Sequence, residues 1–467
     1  MKPPQLLPLY ATLALAHSTR GSHHEATAHS RHGDHDAQVC RSRTPSVLPG
    51  FSSDSTCILD PSDLIATGGD LFDCEAENSQ HAWTHSSPCF KSGGKSGATF
   101  CVFTDTSFAE GRGASFVTTA KRAAHLASNP AFTQPEVIKG VNQDLIRTMP
   151  VKYEVKEFPG KGMGLMATDH IRRGDLIMAN TVSLMIDYRT FDELLADEYQ
   201  QLQAFAVDYL PKPHRSAILN LSTHDAADSL SHIALVDKIT STNAFDIDPD
   251  GDDEEQDHGF YVVFPEIARM NHDCRANADY YFDHETLTQY IHAARPISPG
   301  EEITISYINP VMRRAARMQR LQRTWGFRCN CHLCTQERAR TDASDDRIQQ
   351  INELTSEFRN YRPESRANPQ LAELVISLYE QEQLYGMMYQ MYTFAALEYN
   401  GVGDPWTATK YARLAIEWGL WSVGETDSDV VEMESLARDP WGHWSWMLRT
   451  KKRNGWERRK AVDDDDE

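Results

Sequence analysis

Asn271-His272-Asp273-Cys274-Arg275-Ala276-Asn277 is read together with a second segment farther on, Gly300-Glu301-Glu302-Ile303-Thr304-Ile305-Ser306-Tyr307. The second segment has the apolar content of a strand, entered through a glycine turn and closed by a tyrosine. An Asn-His pair beside such a strand must find hydrogen-bond partners away from water, because buried polar groups are almost always paired. The tyrosine sets a fixed hydroxyl at the edge of that pair. Together the two segments predict a polar site built on a sheet.

Two further features lie on either side. Upstream, Pro159-Gly160-Lys161-Gly162-Met163-Gly164 separates an alternating strand, Lys152–Lys156, from a second apolar run at Leu165–Ala167. Glycines after a strand usually make a tight turn, and a backbone without side chains can also approach a ligand closely. Downstream, Cys329, Cys331 and Cys334 form a tight C-x-C-x2-C, the spacing of metal ligands and not of a disulfide framework. Three thiolates leave a tetrahedral zinc shell one ligand short. Disulfides remain the other reading, although two cysteines separated by one residue bridge poorly.

In this order, the glycine turn, Asn-His-x-Cys-x-x-Asn, the Gly-Glu-Glu-Ile-Thr-Ile-Ser-Tyr strand and the cysteine triplet resemble the motifs of SET-domain protein lysine methyltransferases. The likeness covers about residues 150–335 and is closest to the SET and MYND subgroup, through Asn243-Ala244-Phe245 and Phe327. It departs where Asp273 and Ala276 replace the family's usual Ser and Pro, and residues 187–240 hold no cysteine for a MYND finger. A leader-bearing extension before the domain is similar to a group of fungal SET proteins.

The resemblance implies an α+β, β-rich SET fold with inserted helices, a post-SET zinc segment and a helical tetratricopeptide-like C-terminal domain. It implies S-adenosyl-L-methionine contacts from Lys161, Gly162, Met163, Gly164, Asn243, Asn271, His272, Tyr307 and Phe327. Tyr307 would be the catalytic hydroxyl. A structural zinc would sit on Cys274, Cys329, Cys331 and Cys334. The partner implied is a protein bearing a lysine. A catalytically silent SET scaffold is the rival expectation.

Working outward, the spacing predicts strands at Ile177–Ala179 and Val182–Ile186 and helices over Phe191–Leu210 and around Leu230–Ile239. A hairpin follows at Tyr280–His292, then a helix from Pro310 that carries five arginines on one face. Beyond Cys334 the pattern is helical, with long runs at Leu371–Tyr399 and Trp406–Trp421. The domain boundaries expected are a SET domain at 148–309, with a helical insert near 188–240 and an acidic loop at 246–258. A post-SET segment at 310–338, a helical domain at 341–450 and an acidic tail at 451–467 follow. Asp246-x-Asp248-x-Asp250-Gly251 matches half of a calcium loop, but Asp257 stands where that loop needs Glu, so a solvated acidic loop is favoured.

The N-terminal third reads differently. Lys2, the apolar run Leu6–Leu15 and Ala14-Leu15-Ala16 have the layout of a secretory signal peptide over residues 1–16, with an unstructured leader as the other reading. Six histidines follow in residues 17–36. Cys40, Cys57, Cys74, Cys89 and Cys101 are widely spaced within a stretch, 17–135, read as loop-rich. The leader points to the secretory route, whereas reduced thiolates and the enzyme class point to cytoplasm or nucleus.

A net charge of −21 argues against nucleic acid as a partner, since phosphate neutralisation needs a basic footprint. No run reaches the roughly 18 to 20 apolar residues of a membrane span. A protein partner on the C-terminal helices is also expected.

Overall fold

The computed structural model describes residues 83–93, 96–139, 141–142, 151–223, 230–247 and 259–455. The leader, the histidine tract, Cys40, Cys57, Cys74, most of the acidic stretch and the terminal Asp463–Glu467 lie outside them. So do Asp248, Asp250 and Asp257 of the calcium-like pattern.

The strands in chain order are β1 (Cys89–Lys91), β2 (Thr99–Asp105), β3 (Ala114–Thr119), β4 (Tyr153–Phe158), β5 (Gly162–Ala167), β6 (Leu176–Thr181) and β7 (Leu184–Asp187). They continue with β8 (Phe245–Ile247), β9 (Phe260–Val263), β10 (Asn271–His272), β11 (Ala278–Asp283), β12 (Thr288–Ala293) and β13 (Glu302–Ile305). They form three sheets, in the orders β1-β2-β3-β7-β9-β8, β10-β13-β5-β4 and β11-β12-β6. Their inner faces share one core, from Phe103 and Phe116 through Leu165 and Phe264 to Ile291 and Ile303.

The helices with more than one regular turn are α1 (Ala120–Ala127), α2 (Ala196–Asp208), α3 (Lys212–Leu219), α4 (His232–Asn243) and α5 (Arg314–Trp325). After these come α6 (Arg338–Phe358), α7 (Pro369–Gln381), α8 (Met388–Val402), α9 (Pro405–Ser422) and α10 (Ser428–Arg438). Helices α2 to α4 cover the outer face of the largest sheet through Leu202, Val207, Ile218 and Ile239. Helices α6 to α10 enclose a second core rich in Tyr, Met and Trp.

Four expectations need correction. The loop-rich stretch contributes three strands to the six-stranded sheet, with β3 pairing in parallel to β7. In the same stretch Cys89 and Cys101 form a disulfide across β1 and β2, as the wide cysteine spacing suggests. The helix expected from Pro310 starts at Arg314, and the final strand stops at Ile305, because residues 306–313 bend to turn the chain. The long run Leu371–Tyr399 is two helices, α7 and α8, interrupted near Gln383, which takes a left-handed φ of 53°. Finally, residues 448–455 are helical, so the tail begins later than 451. Lys452 and Arg453 hold that segment by donating to the carbonyls of Tyr361 and Ala367, each at 2.8 Å.

Candidate active site and metal centre

Strand β10 is only two residues long, yet it places Asn271 and His272 in parallel register with Thr304 and Ile305 of β13. On its other side β13 pairs with β5, Ile303 opposite Leu165. The glycine turn and the Asn-His pair are thereby brought to the two flanks of one strand. Asn277 fastens the loop between them. Its Oδ1 accepts from the Thr304 amide at 2.8 Å, and its Nδ2 donates to the Glu302 carbonyl at 2.8 Å.

Glu302 joins the three segments. Its carboxylate accepts from Asn271 Nδ2 at 2.9 Å and from Lys161 Nζ at 2.5 Å. Asn271 Nδ2 also reaches the Met163 carbonyl at 3.4 Å. Gly164 makes this approach feasible: a Cβ there would lie 2.6 Å from Asn271 Nδ2 and 2.8 Å from the Phe158 ring. Gly162 is needed for a different reason, its φ of +78°, with nothing near its missing side chain. Met163 is exposed at the rim.

The Tyr307 hydroxyl donates to the Met270 carbonyl at 2.6 Å. Burial, reinforced by the Glu302 charge, raises its pKa well above the ordinary phenol value. It is therefore a neutral hydrogen-bonding group. The Tyr307 amide donates to His272 Nδ1 at 3.0 Å, so this nitrogen is the acceptor and the ring proton sits on Nε2. Nε2 faces Cys274 Sγ at 3.3 Å. Burial lowers His272 to about 4, which keeps the ring neutral for both bonds.

His272 thus links the tyrosine to the cysteines. Cys274, Cys329, Cys331 and Cys334 are all buried, and their sulfurs lie within 4.8 Å of one another. Cys274 is 3.9 Å from Cys329 and 3.6 Å from Cys334. A tetrahedron of zinc–sulfur bonds of ~2.3 Å has sulfur–sulfur edges of about 3.8 Å, whereas a disulfide needs ~2.05 Å. The donor set fits a structural zinc and leaves no open position. Arg317, 1% exposed, packs its guanidinium against Cys274 and Cys334. Burial opposes the charge there, but Cys274 and Cys334 hold it on, and it would offset the net negative charge of a zinc–tetrathiolate.

Around Tyr307 the wall is aromatic. The Trp325 ring lies 5.3 Å away and its indole N–H donates to the Thr242 carbonyl at 3.1 Å. Phe327 lies 6.2 Å from His272. Asn243 stays apart from this network: its Nδ2 donates to the Ile239 and Ser222 carbonyls at 2.8 Å each, closing the end of α4.

Lys161, Gly162, Met163, Gly164, Asn271, His272, Tyr307, Phe327 and the four cysteines therefore converge, while Asn243 approaches only through its neighbour Thr242. Sequence reasoning missed Glu302, Asn277, Trp325 and Arg317 as parts of the site. The available signal was a carboxylate leading into Ile303; Arg317 stood with four other arginines on the helix face read as polar, and only the fold buries it. Asp273, one of the two departures from the expected motif, is pushed up to about 6 by burial, with Cys331 adding to the effect. Its Oδ1 accepts from the Arg275 amide at 2.8 Å, a local turn bond that any short acceptor could make.

A family model described as the SET domain matches residues 162–308, the span that holds the glycine turn, the Asn-His pair and Tyr307. Residues 162–308 are a SET domain.

Among curated proteins, the SET domain and its surroundings are similar to the histone-lysine N-methyltransferase set5 of Schizosaccharomyces pombe, 29% identical over 43% of this chain and 56% of that protein. The corresponding SET5 of Saccharomyces cerevisiae is 40% identical over 16% of this chain and 14% of its own length. The N-lysine methyltransferase SMYD2 of Gallus gallus is 26% identical over 43% and 45% of the two chains. The chain thus spans at most about half the length of these relatives, from 14% to 56%. Among solved structures, the SET domain of LSMT bound to lysine and AdoHcy overlaps 70% of this chain and 92% of that one, at 12% identity and a TM-score of 0.24. Among the described residues no helix is long and apolar enough to cross a membrane.

Proposed function

We propose that this chain is an S-adenosyl-L-methionine-dependent protein-lysine N-methyltransferase whose four cysteines hold a structural zinc. The observation that carries this reading is the bond set of Glu302, which draws Lys161 and Asn271 onto one carboxylate and fixes the glycine turn beside the Asn-His strand. S-Adenosyl-L-methionine would supply an electrophilic methyl group; Gly162, Met163, Gly164, Lys161, Asn271, His272 and Phe327 would bind it. Asn243 is assigned to it by resemblance alone.

The protein's own part is to position and to exclude water. A lysine amine in water has a pKa of about 10.4 and must lose its proton before it can attack. A half-buried aromatic wall of Tyr307, Trp325 and Phe327 favours the uncharged amine by desolvation. Tyr307, held neutral, orients that amine through its oxygen and does not act as the base. The rest of the rate enhancement comes from alignment. Zinc would clamp residues 329–334 onto Cys274, and through His272 onto the Tyr307 backbone.

The test is methyl transfer from labelled S-adenosyl-L-methionine into a total protein lysate, with elemental analysis of the same preparation. One zinc per chain and labelled bands that fade in Tyr307→Phe and Asn271→Ala support the proposal. Absence of label together with absence of cofactor binding by zinc-loaded protein would instead leave a scaffold.

A further inference from the structure

A cavity of about 440 Å³ opens between the SET domain and the C-terminal helices, away from the glycine turn and the cysteines. It is lined by Arg173 from the turn before β6, by Glu380 at the end of α7, by Tyr385 and Tyr392, and by Glu417 and Trp418 of α9. One end already holds a cation. The Arg173 guanidinium lies 4.2 Å above the Trp418 ring and pairs with Glu417 at 2.7 Å.

The rest of the lining continues the same aromatic and acidic chemistry. The rings of Tyr392 and Tyr385 stand 5.9 and 6.4 Å from that of Trp418, the first of them edge-on to it. Glu380 stands exposed at the mouth and, among the described residues, pairs with no lysine or arginine. Trp418 and Tyr392 are buried in the helical core, so the two rings are held in place before anything enters. Ring faces fixed around a space and a carboxylate at its rim are what a weakly hydrated cation needs. Such a cation gains more from aromatic quadrupoles than it loses in water.

We propose that this cavity binds a methylated lysine side chain of a protein ligand. Methylation keeps the charge of the ammonium but removes its hydrogen-bond donors and weakens its hydration. The unmodified amine keeps its water shell and enters less favourably. Arg173 is the internal counterpart of this ligand, and its fixed positive charge in the same cavity opposes a second cation.

Binding here requires no transfer chemistry, so the test omits S-adenosyl-L-methionine and its result is separable from that of the proposed activity. Anisotropy of a fluorescent Gly/Ser peptide bearing one trimethyllysine is followed with the full chain, against the same peptide with lysine or with norleucine. The trimethyllysine peptide should bind about tenfold more tightly than either, and Glu380→Gln or Tyr385→Ala should remove about that factor. Arg173→Ala should strengthen binding, a direction that structural damage to the cavity does not produce. Equal or absent binding of the three peptides would overturn the proposal. So would weakening by Arg173→Ala, which would make the cavity only a joint between domains.

Discussion

Gly164 and Gly162 stand two residues apart at the start of β5, and alanine should fail at each for a different reason. At Gly164 the new methyl would press on Asn271 Nδ2 and the Phe158 ring, both fixed by their neighbours. Overpacking of this kind costs about 1–3 kcal/mol, and here it also pushes Asn271 off Glu302. At Gly162 there is space but a left-handed backbone, worth about 1–2 kcal/mol to an L-residue. Both variants should therefore lose similar stability in urea unfolding, whereas S-adenosyl-L-methionine affinity, measured by calorimetry, should fall much more for Gly164→Ala. Equal losses of affinity would mean that the close approach of Asn271 is unimportant. At this scale the cysteine triplet was marked by its spacing, and the glycines, the Asn-His pair, Tyr307 and Cys274 by their likeness to SET motifs. It could not mark Glu302 or Arg317 as hubs, because each acts on residues distant in the chain that only the fold brings near.

Strands β1 to β3 show where element-level reading fails and what depends on it. Thr99–Asp105 is buried along nearly its whole length, so it lacks the alternation that betrays a half-exposed strand. Set among Gly, Ser and Cys, it looks like loop. The hairpin β11–β12 was legible for the opposite reason. Its turn is polar, with Asp283 Oδ1 accepting from the Glu285 amide at 2.9 Å, and its two strands carry aromatic and β-branched residues. The interruption between α7 and α8 was invisible because Gln383 takes its left-handed φ without a glycine to announce it. A consequence follows for the domain boundary. A fragment starting at residue 148 would strip β3 from β7 and expose Leu184 and Ile186 on a bare edge, a template for aggregation. Such a fragment should be recovered in inclusion bodies, while one starting at residue 83 should be soluble and monodisperse in gel filtration. A soluble, folded 148–455 fragment would show that the N-terminal strands are dispensable.

The two cores of the molecule meet at a charge network that begins in the motif itself. Arg275, two residues before Asn277, donates to the carbonyls of Cys274 and Pro310 and pairs with Glu382 at 2.5 Å. Glu382 is 1% exposed and also accepts from Arg347 at 2.7 Å and Ser344 at 2.8 Å, both on α6. One carboxylate therefore ties the SET domain to the helical domain. Burial alone would raise its pKa, but the Arg275 bond and charge, with Ser344 and Arg347, outweigh this and hold it below the ordinary value. A carboxyl depressed in the folded state contributes stability that is present above its unfolded pKa of about 4.3 and lost as pH falls through the lower folded value. Glu382→Gln removes the charge at every pH and leaves Arg275 buried without its counter-ion, at a cost of roughly 3 kcal/mol near neutrality. Wild type and variant, unfolded in urea at a series of pH values, should differ by that amount at about pH 6, begin to converge as pH falls below about 4.3, and meet only below the lowered folded value. Convergence follows because protonation does to the native carboxyl what the substitution does permanently. A gap that stays constant down to acid pH would assign the loss to packing around residue 382 and not to the charge that joins the two domains.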